Sequence, residues 1–137
     1  NGLESSGLSY DPDLVRDWRY NDPKLSSFQH TLDLMKLKNP PTAILFYTET
    51  AAGILQGLQQ LNLKITKDIS LICYDDLEIA KTNNPPLTVM CPHATNAGER
   101  LVGMLMEIFE GRPIEELQEI WQVEIVHRQS TGPILQM

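Results

Sequence analysis

Cysteine is scarce: 137 residues contain two, Cys73 and Cys91. Each lies inside or at the end of an apolar run, and their spacing fits no zinc motif. Two buried, reduced thiols are therefore expected, as in a cytoplasmic protein. Positive charge is also short, with 11 Lys and Arg against 18 Asp and Glu and a net charge of −7. Binding a phosphate backbone draws on clustered cations, so direct nucleic-acid contact by this chain is disfavoured. No apolar run is long enough to cross a bilayer. Asn1-Gly2-Leu3-Glu4 has neither the basic nor the apolar part of a signal peptide. A Gly-rich phosphate loop, a nucleophile elbow and an HExxH helix are all missing, which leaves an enzyme without sequence support and implies no cofactor and no metal. Repeats and low-complexity segments are absent too.

What is present is a globular composition, 42% hydrophobic, over a length that makes one domain or part of one. The stretch from Pro41 to Asp76 organises it. Thr42–Tyr47 is a short apolar run of the kind buried on both faces of a parallel sheet. Thr48 and Thr50 are N-cap types, and Glu49 suits a first turn. Ala51, Ile54, Leu55, Leu58 and Leu61 then mark one face of a helix, which Asn62 stops. Ile69–Tyr74 is a second apolar run and ends in Asp75-Asp76. Strand, helix and strand make a right-handed βαβ unit. Polar residues at the carboxyl ends of such strands face a ligand crevice.

On either side, residues 1–9 read as the tail of a helix under way, ending near Gly7. Tyr10–Asp13 is a turn, Leu14–Trp18 a strand and Arg19–Lys24 a loop. Leu25–Leu37 is a helix with Leu25, Phe28, Leu32 and Met35 on one face, stopped by Asn39-Pro40-Pro41. Leu77–Pro86 is a loop with a short helical turn, and Leu87–Cys91 a third strand. A helix from Ala97 to Glu110, capped by Thr95 or Asn96, ends at Gly111-Arg112-Pro113. Glu119–Arg128 is a strand or hairpin arm. Alternating strands and helices mean an α/β fold with a mainly parallel sheet and helices on both faces.

Asp75-Asp76 is the sharpest chemical feature. It reads as a solvated turn, as a carboxylate accepting hydrogen bonds from a polyhydroxy ligand, or as a phosphoryl-accepting or magnesium site. Thr48 and Glu49 are either plain capping residues or ligand contacts. Tyr20, Asn21 and Asp22 form a polar-aromatic loop that can reach a crevice. His93, just past the third strand, is a loop residue or a contact. His30 and His127 have no evident partner, and Trp18 and Trp121 fit packing better than sugar stacking.

Several words in order carry a resemblance. They are Ser26-Ser27-Phe28, Pro41-Thr42-Ala43-Ile44, Asp68-Ile69-Ser70-Leu71-Ile72, Tyr74-Asp75-Asp76, Pro86-Leu87-Thr88, Gly98 and Arg128-Gln129-Ser130-Thr131. From Gly2 to about Thr131 the chain resembles the effector-binding domain of lactose-repressor-type bacterial transcription regulators. Tyr47, Leu63-Lys64 and Arg128-Gln129-Ser130 look most like the arabinose repressors. The resemblance implies one lobe, the C-terminal one, of a two-lobed periplasmic-binding-protein-like fold with a small molecule between the lobes. It implies residues 87–110 as a segment that normally packs with the N-terminal lobe. It further implies a sugar or polyol effector, arabinose among the candidates, held by Asp75, Thr48, Glu49, Tyr20, Asp22 and His93. DNA would be read by a domain outside this chain, no membrane is involved, and a homo-oligomer is expected. The chain departs from the family pattern at Thr48-Glu49, where Asn-Asp is usual, and at Cys73, where glycine is usual. Two competing readings are a periplasmic-type sugar-binding protein of the same fold and a receiver-like phosphoacceptor domain.

Overall fold

The computed structural model describes residues 2–17, 22–91 and 94–133. Helix α1 (Gly2–Ser5) is one turn long, and a 3-10 turn at Pro12–Leu14 follows, capped by Asp11. Beyond it, α2 (Pro23–Leu34), β1 (Ala43–Tyr47), α3 (Ala51–Gln60) and β2 (Ser70–Tyr74) form the central unit. Then come α4 (Glu78–Thr82), β3 (Thr88–Cys91), α5 (Ala94–Phe109) and β4 (Glu124–Val126). The strands lie in the order β1-β2-β3-β4. The first three are parallel, and β4 is antiparallel to β3.

The core forms on one face of this sheet. Side chains alternate along a strand, and the register puts Phe46 beside Cys73 and Cys73 beside Val89. Ala51, Ile54 and Leu58 of α3 close over them, joined by Leu71, Ala80 and Leu87. The helical stripe expected from the sequence is thus the buried face of α3, except that Leu61, its last member, is exposed. Asn62 stops the helix as expected, and the geometry shows how. At φ 54 it is left-handed, its N–H bonds the Gln59 carbonyl, and the Leu63 N–H reaches the Leu58 carbonyl. Asparagine tolerates that conformation better than most residues. Gly111 (φ 93) ends α5 by the same pair of bonds, onto Ile108 and Glu107.

Several sequence expectations are corrected. Strand β1 is not buried on both faces: it is the sheet edge, and Leu45 and Tyr47 are 62% and 55% exposed. Residues 14–17 form no strand: Leu14 closes a 3-10 turn and 15–17 are irregular; Trp18 lies outside the described residues. Helix α2 starts at Pro23, because Asp22 caps it with a 2.7 Å bond from the Leu25 N–H and proline suits the first position. Its buried residues are Ser27, Thr31 and Leu34, while Leu25 faces water. The apolar stripe misled because α2 packs on α3 through small residues, Ser27 and Thr31 meeting Gly53 and Gly57. Neither Thr48 nor Thr50 caps α3 through its side chain. Helix α5 begins at Ala94, so Thr95 and Asn96 lie inside it. The last strand keeps only Glu124–Val126 of the expected ten residues.

The 87–110 segment divides. Its strand is built into this sheet, with Leu87, Thr88 and Val89 fully buried. Its helix carries Leu101, Val102, Leu105, Met106 and Phe109 exposed. The ion pairs of α5 are local: Arg100 bonds Glu107 of the same helix at 2.8 Å and Glu119 beyond the helix at 2.6 Å, and Arg112 also pairs with Glu107. These ion pairs hold the Glu107 and Glu119 carboxyls below their ordinary range and raise Arg100. At such exposure they contribute little stability.

Both cysteines are free thiols. Cys73 is fully buried, and burial pushes its thiol up, with Thr48 opposing. Cys91 is half-buried. Thiol titration should therefore find two thiols after unfolding and a native-state rate much faster for Cys91 than for Cys73. Equal rates would show that the β2 core opens readily.

Candidate functional site

The site grows from one strand register. Tyr47 and Tyr74 are partners at the carboxyl ends of β1 and β2. Both point to the face opposite the core, where their rings meet at 5.2 Å and 58°. Tyr74 is in turn beside Met90, and Met90 beside Ile125. Asp75 comes directly after this row, and Glu49 one residue further on from Tyr47, past Thr48. The sequence pointed to both clusters, but only the register turns the tyrosines into a pair.

Thr48 is buried and points inward. Its hydroxyl donates to the Tyr74 carbonyl at 2.5 Å and lies 3.4 Å from that of Asp75. It also contacts the Cys73 thiol at 3.2 Å. Thr48 and Cys73, two of the positions at which the chain departs from the pattern of the family it resembles, therefore touch each other. Thr48 acts as a strut between strand ends, its hydroxyl already engaged. Glu49 is exposed in the 3-10 turn Thr48–Thr50 that leads into α3.

Asp75 and Asp76 part ways. Asp76 accepts from Arg128 Nη2 at 2.6 Å and lies 3.8 Å from Lys81 Nζ. Asp75 sits at φ 75, its N–H donating to the Met90 carbonyl at 3.0 Å. The Asp75 carboxylate receives no bond from the described residues, and its side chain is half-buried. A carboxylate so placed can accept two hydroxyl hydrogens. The magnesium or phosphoryl reading fares worse. Asp76 is already neutralised by cations, and no group of three or more metal-ligating side chains forms among the described residues.

Of the other expected contacts, Asp22 spends one oxygen on the α2 cap. Tyr20, Asn21, Pro92 and His93 lie outside the described residues. A groove of about 640 Å³ runs beside the open edge of β1 and includes Glu49, but Asp75 does not line it. Its lining mixes apolar residues such as Leu34, Ile44, Phe46 and Ile54 with polar ones such as Arg16, His30, Thr31 and Glu49.

What reasoning from residues alone missed is the role of Arg128-Gln129-Ser130-Thr131. Ser130 is fully buried; its hydroxyl accepts from the Thr88 N–H at 2.7 Å and donates to the Leu71 carbonyl at 2.6 Å. The Ser130 carbonyl accepts from the Leu71 N–H, and the Arg128 N–H bonds Thr88 Oγ1. This segment stitches β2 to β3 just before the site. Thr88 in a buried strand was the available signal, since a buried hydroxyl needs partners.

Residues 6–131 match the family described as periplasmic binding protein-like domain. The chain belongs to that family. Its relatives are transcription regulators of the LacI type. The HTH-type transcriptional regulator AglR of Rhizobium meliloti is 33% identical over 135 residues, 96% of this chain and 37% of that protein. The HTH-type transcriptional repressor PurR of Vibrio campbellii is 33% identical over 97 residues, 70% of this chain and 29% of that protein. Among solved structures, the lac repressor dimer bound to operator and the anti-inducer ONPF aligns with TM-score 0.68 and 26% identity, over 80% of this chain and 38% of that one. A transcriptional regulator from Yersinia pestis aligns with TM-score 0.76 and 25% identity, over 93% and 45%. This periplasmic-binding-protein-like chain thus spans less than half the length of these relatives, as part of an effector-binding domain. The receiver-like reading is overturned by the family match.

Proposed function

We propose that this chain is the C-terminal part of the effector-binding domain of a bacterial transcription regulator, sensing a sugar or polyol and acting without catalysis. The observation that carries the reading is the Asp75 carboxylate. It is held in a left-handed turn beside the Tyr47–Tyr74 pair, with no hydrogen bond from the described residues. Glu49 adds a second acceptor across the two strand ends. Asp22, Tyr20 and His93 complete the proposed contacts. Thr48 contributes through the strut. DNA is read by another part of the regulator, which places the protein in the cytoplasm. Ribose and arabinose are the first effectors to try.

Substituting Asp75 by asparagine tests this cleanly, because asparagine tolerates the positive φ and leaves the fold intact. Affinity for the effector should fall by about 1.5–3 kcal/mol, the range for hydrogen bonds to charged groups. Calorimetric titration with D-ribose and L-arabinose measures it. An affinity for either sugar that survives the substitution would reduce Asp75 to a turn residue.

The exposed face of α5 fits the expectation that its partner is the N-terminal lobe, and that regulators of this type assemble as homo-oligomers. Burying one such apolar side chain contributes about 1.5–3 kcal/mol. Alone, the chain should self-associate through that face, and replacing Leu105 and Phe109 by glutamate should return it to monomer. Sedimentation velocity reads both. A monomeric parent chain would show that α5 needs no partner.

A further inference from the structure

We propose that Arg128, through its ion pair with Asp76, is the positioning residue for Asp75. The proposal rests on the reading of Asp75 as the sugar-contacting carboxylate. A left-handed backbone is less costly for aspartate than for most residues but is still disfavoured, so Asp75 at φ 75 depends on neighbours that hold the turn. On its amino side, Thr48 holds the Tyr74 carbonyl and the Asp75 N–H is tied to Met90. On its carboxyl side, the fixed point is the Asp76 carboxylate on Arg128, at 2.6 Å.

Arg128 is well built for that role. Its own N–H donates to Thr88 Oγ1 at 3.0 Å, and its Nη1 donates to the Leu87 carbonyl at 3.0 Å. Nη2 is then left for Asp76. A planar guanidinium presents its donors in a rigid fork and so holds two acceptors in fixed directions, whereas an ammonium's three donors rotate on a flexible stem. The side chains of Arg128 and Asp76 are only 18% and 23% exposed, so water competes weakly. Lys81, at 3.8 Å and 52% exposed, is a poor substitute. The pair therefore links the segment after β4, itself tied to the entry of β3, to the turn after β2 across 52 residues of sequence.

The test uses the 137-residue chain, with Arg128→Gln, Arg128→Lys and Asp76→Asn. Amide hydrogen exchange is read residue by residue, beside NMR titration with D-ribose. In Arg128→Gln and Asp76→Asn, exchange of the Asp75 N–H should accelerate by about tenfold or more, with Leu71 and Cys73 unchanged. The D-ribose Kd should rise by about fivefold or more, with Arg128→Lys intermediate. Unchanged Asp75 exchange in a folded Arg128→Gln or Asp76→Asn chain overturns the proposal. Asp75→Asn separates the two readings. If it weakens D-ribose binding and Arg128→Gln does not, positioning is refuted and the sugar site stands. If neither weakens binding, the sugar site falls, and Asp75 exchange alone decides whether the pair sets the turn.

Discussion

Replacing Gly53 by alanine should cost this protein about 3 kcal/mol of stability, at the upper end for overpacking. A Cβ at residue 53 would lie 2.1 Å from the Lys24 carbonyl oxygen and 2.1 Å from Ser27 Oγ. The first is backbone and cannot swing away. The second is held by bonds to the Pro23 carbonyl at 2.6 Å and the Thr50 carbonyl at 2.9 Å. Helix α2 must therefore shift off α3 as a body. Alanine gains up to about 1 kcal/mol in helix propensity, which is too little to offset this. Gly98 is the control. It also lies in a helix, α5, but nothing stands within 4 Å of its would-be Cβ. Gly98→Ala should stabilise the chain by about 0.5–1 kcal/mol. Urea unfolding followed by circular dichroism reads both. Equal midpoints for the two variants would mean that α2 and α3 are not in close contact.

Ser130→Ala should cost about 2–4 kcal/mol, because it strands two buried backbone groups at once. The Thr88 N–H loses its 2.7 Å acceptor and the Leu71 carbonyl its 2.6 Å donor. Each unsatisfied group costs about 1–3 kcal/mol. The packing loss is small by comparison, one oxygen atom. The effect should be local as well as global: exchange of the Thr88 amide should accelerate more than that of Phe46, which lies in the same core. A variant within about 0.5 kcal/mol of the parent, with Thr88 still protected, would show that water or a neighbouring hydroxyl replaces Ser130.

These two positions show what could be read from residues and what could not. The α3 stripe was legible because burial of an amphipathic helix repeats at 3.6 residues, and Ala51, Ile54 and Leu58 obey it. Helix α2 was read about one residue off: Ser27, Thr31 and Leu34 are its buried residues, while Phe28, Leu32 and Met35 of the expected stripe are half-buried. Its stripe of larger apolar residues was outcompeted by a close contact through Ser27, Thr31, Gly53 and Gly57, and close approach between helices has no periodic signature of its own. Strand β1 was found, but its position at the sheet edge depends on which strands lie beside it, a long-range fact. The candidate site was half legible. Apolar runs ending in Tyr47-Thr48-Glu49 and Tyr74-Asp75-Asp76 pointed to the strand ends. Which of the two aspartates is engaged by protein was not legible, because the deciding partner, Arg128, is 52 residues away.

By itself, then, the sequence determined the class of fold, the strand-helix-strand unit from Ala43 to Tyr74, and the two polar clusters at its strand ends. Those depend on local periodicity, turn chemistry and the order of elements, all of which are written along the chain. Tertiary structure decided which side chains remain available for chemistry. It turned Thr48 inward onto Tyr74, engaged Asp76 with Arg128, and left Asp75 without a bond from the described residues. Hydrogen bonds and ion pairs form between whatever groups the fold brings within about 3 Å. That proximity is set by sheet register and packing, which no run of neighbouring residues encodes.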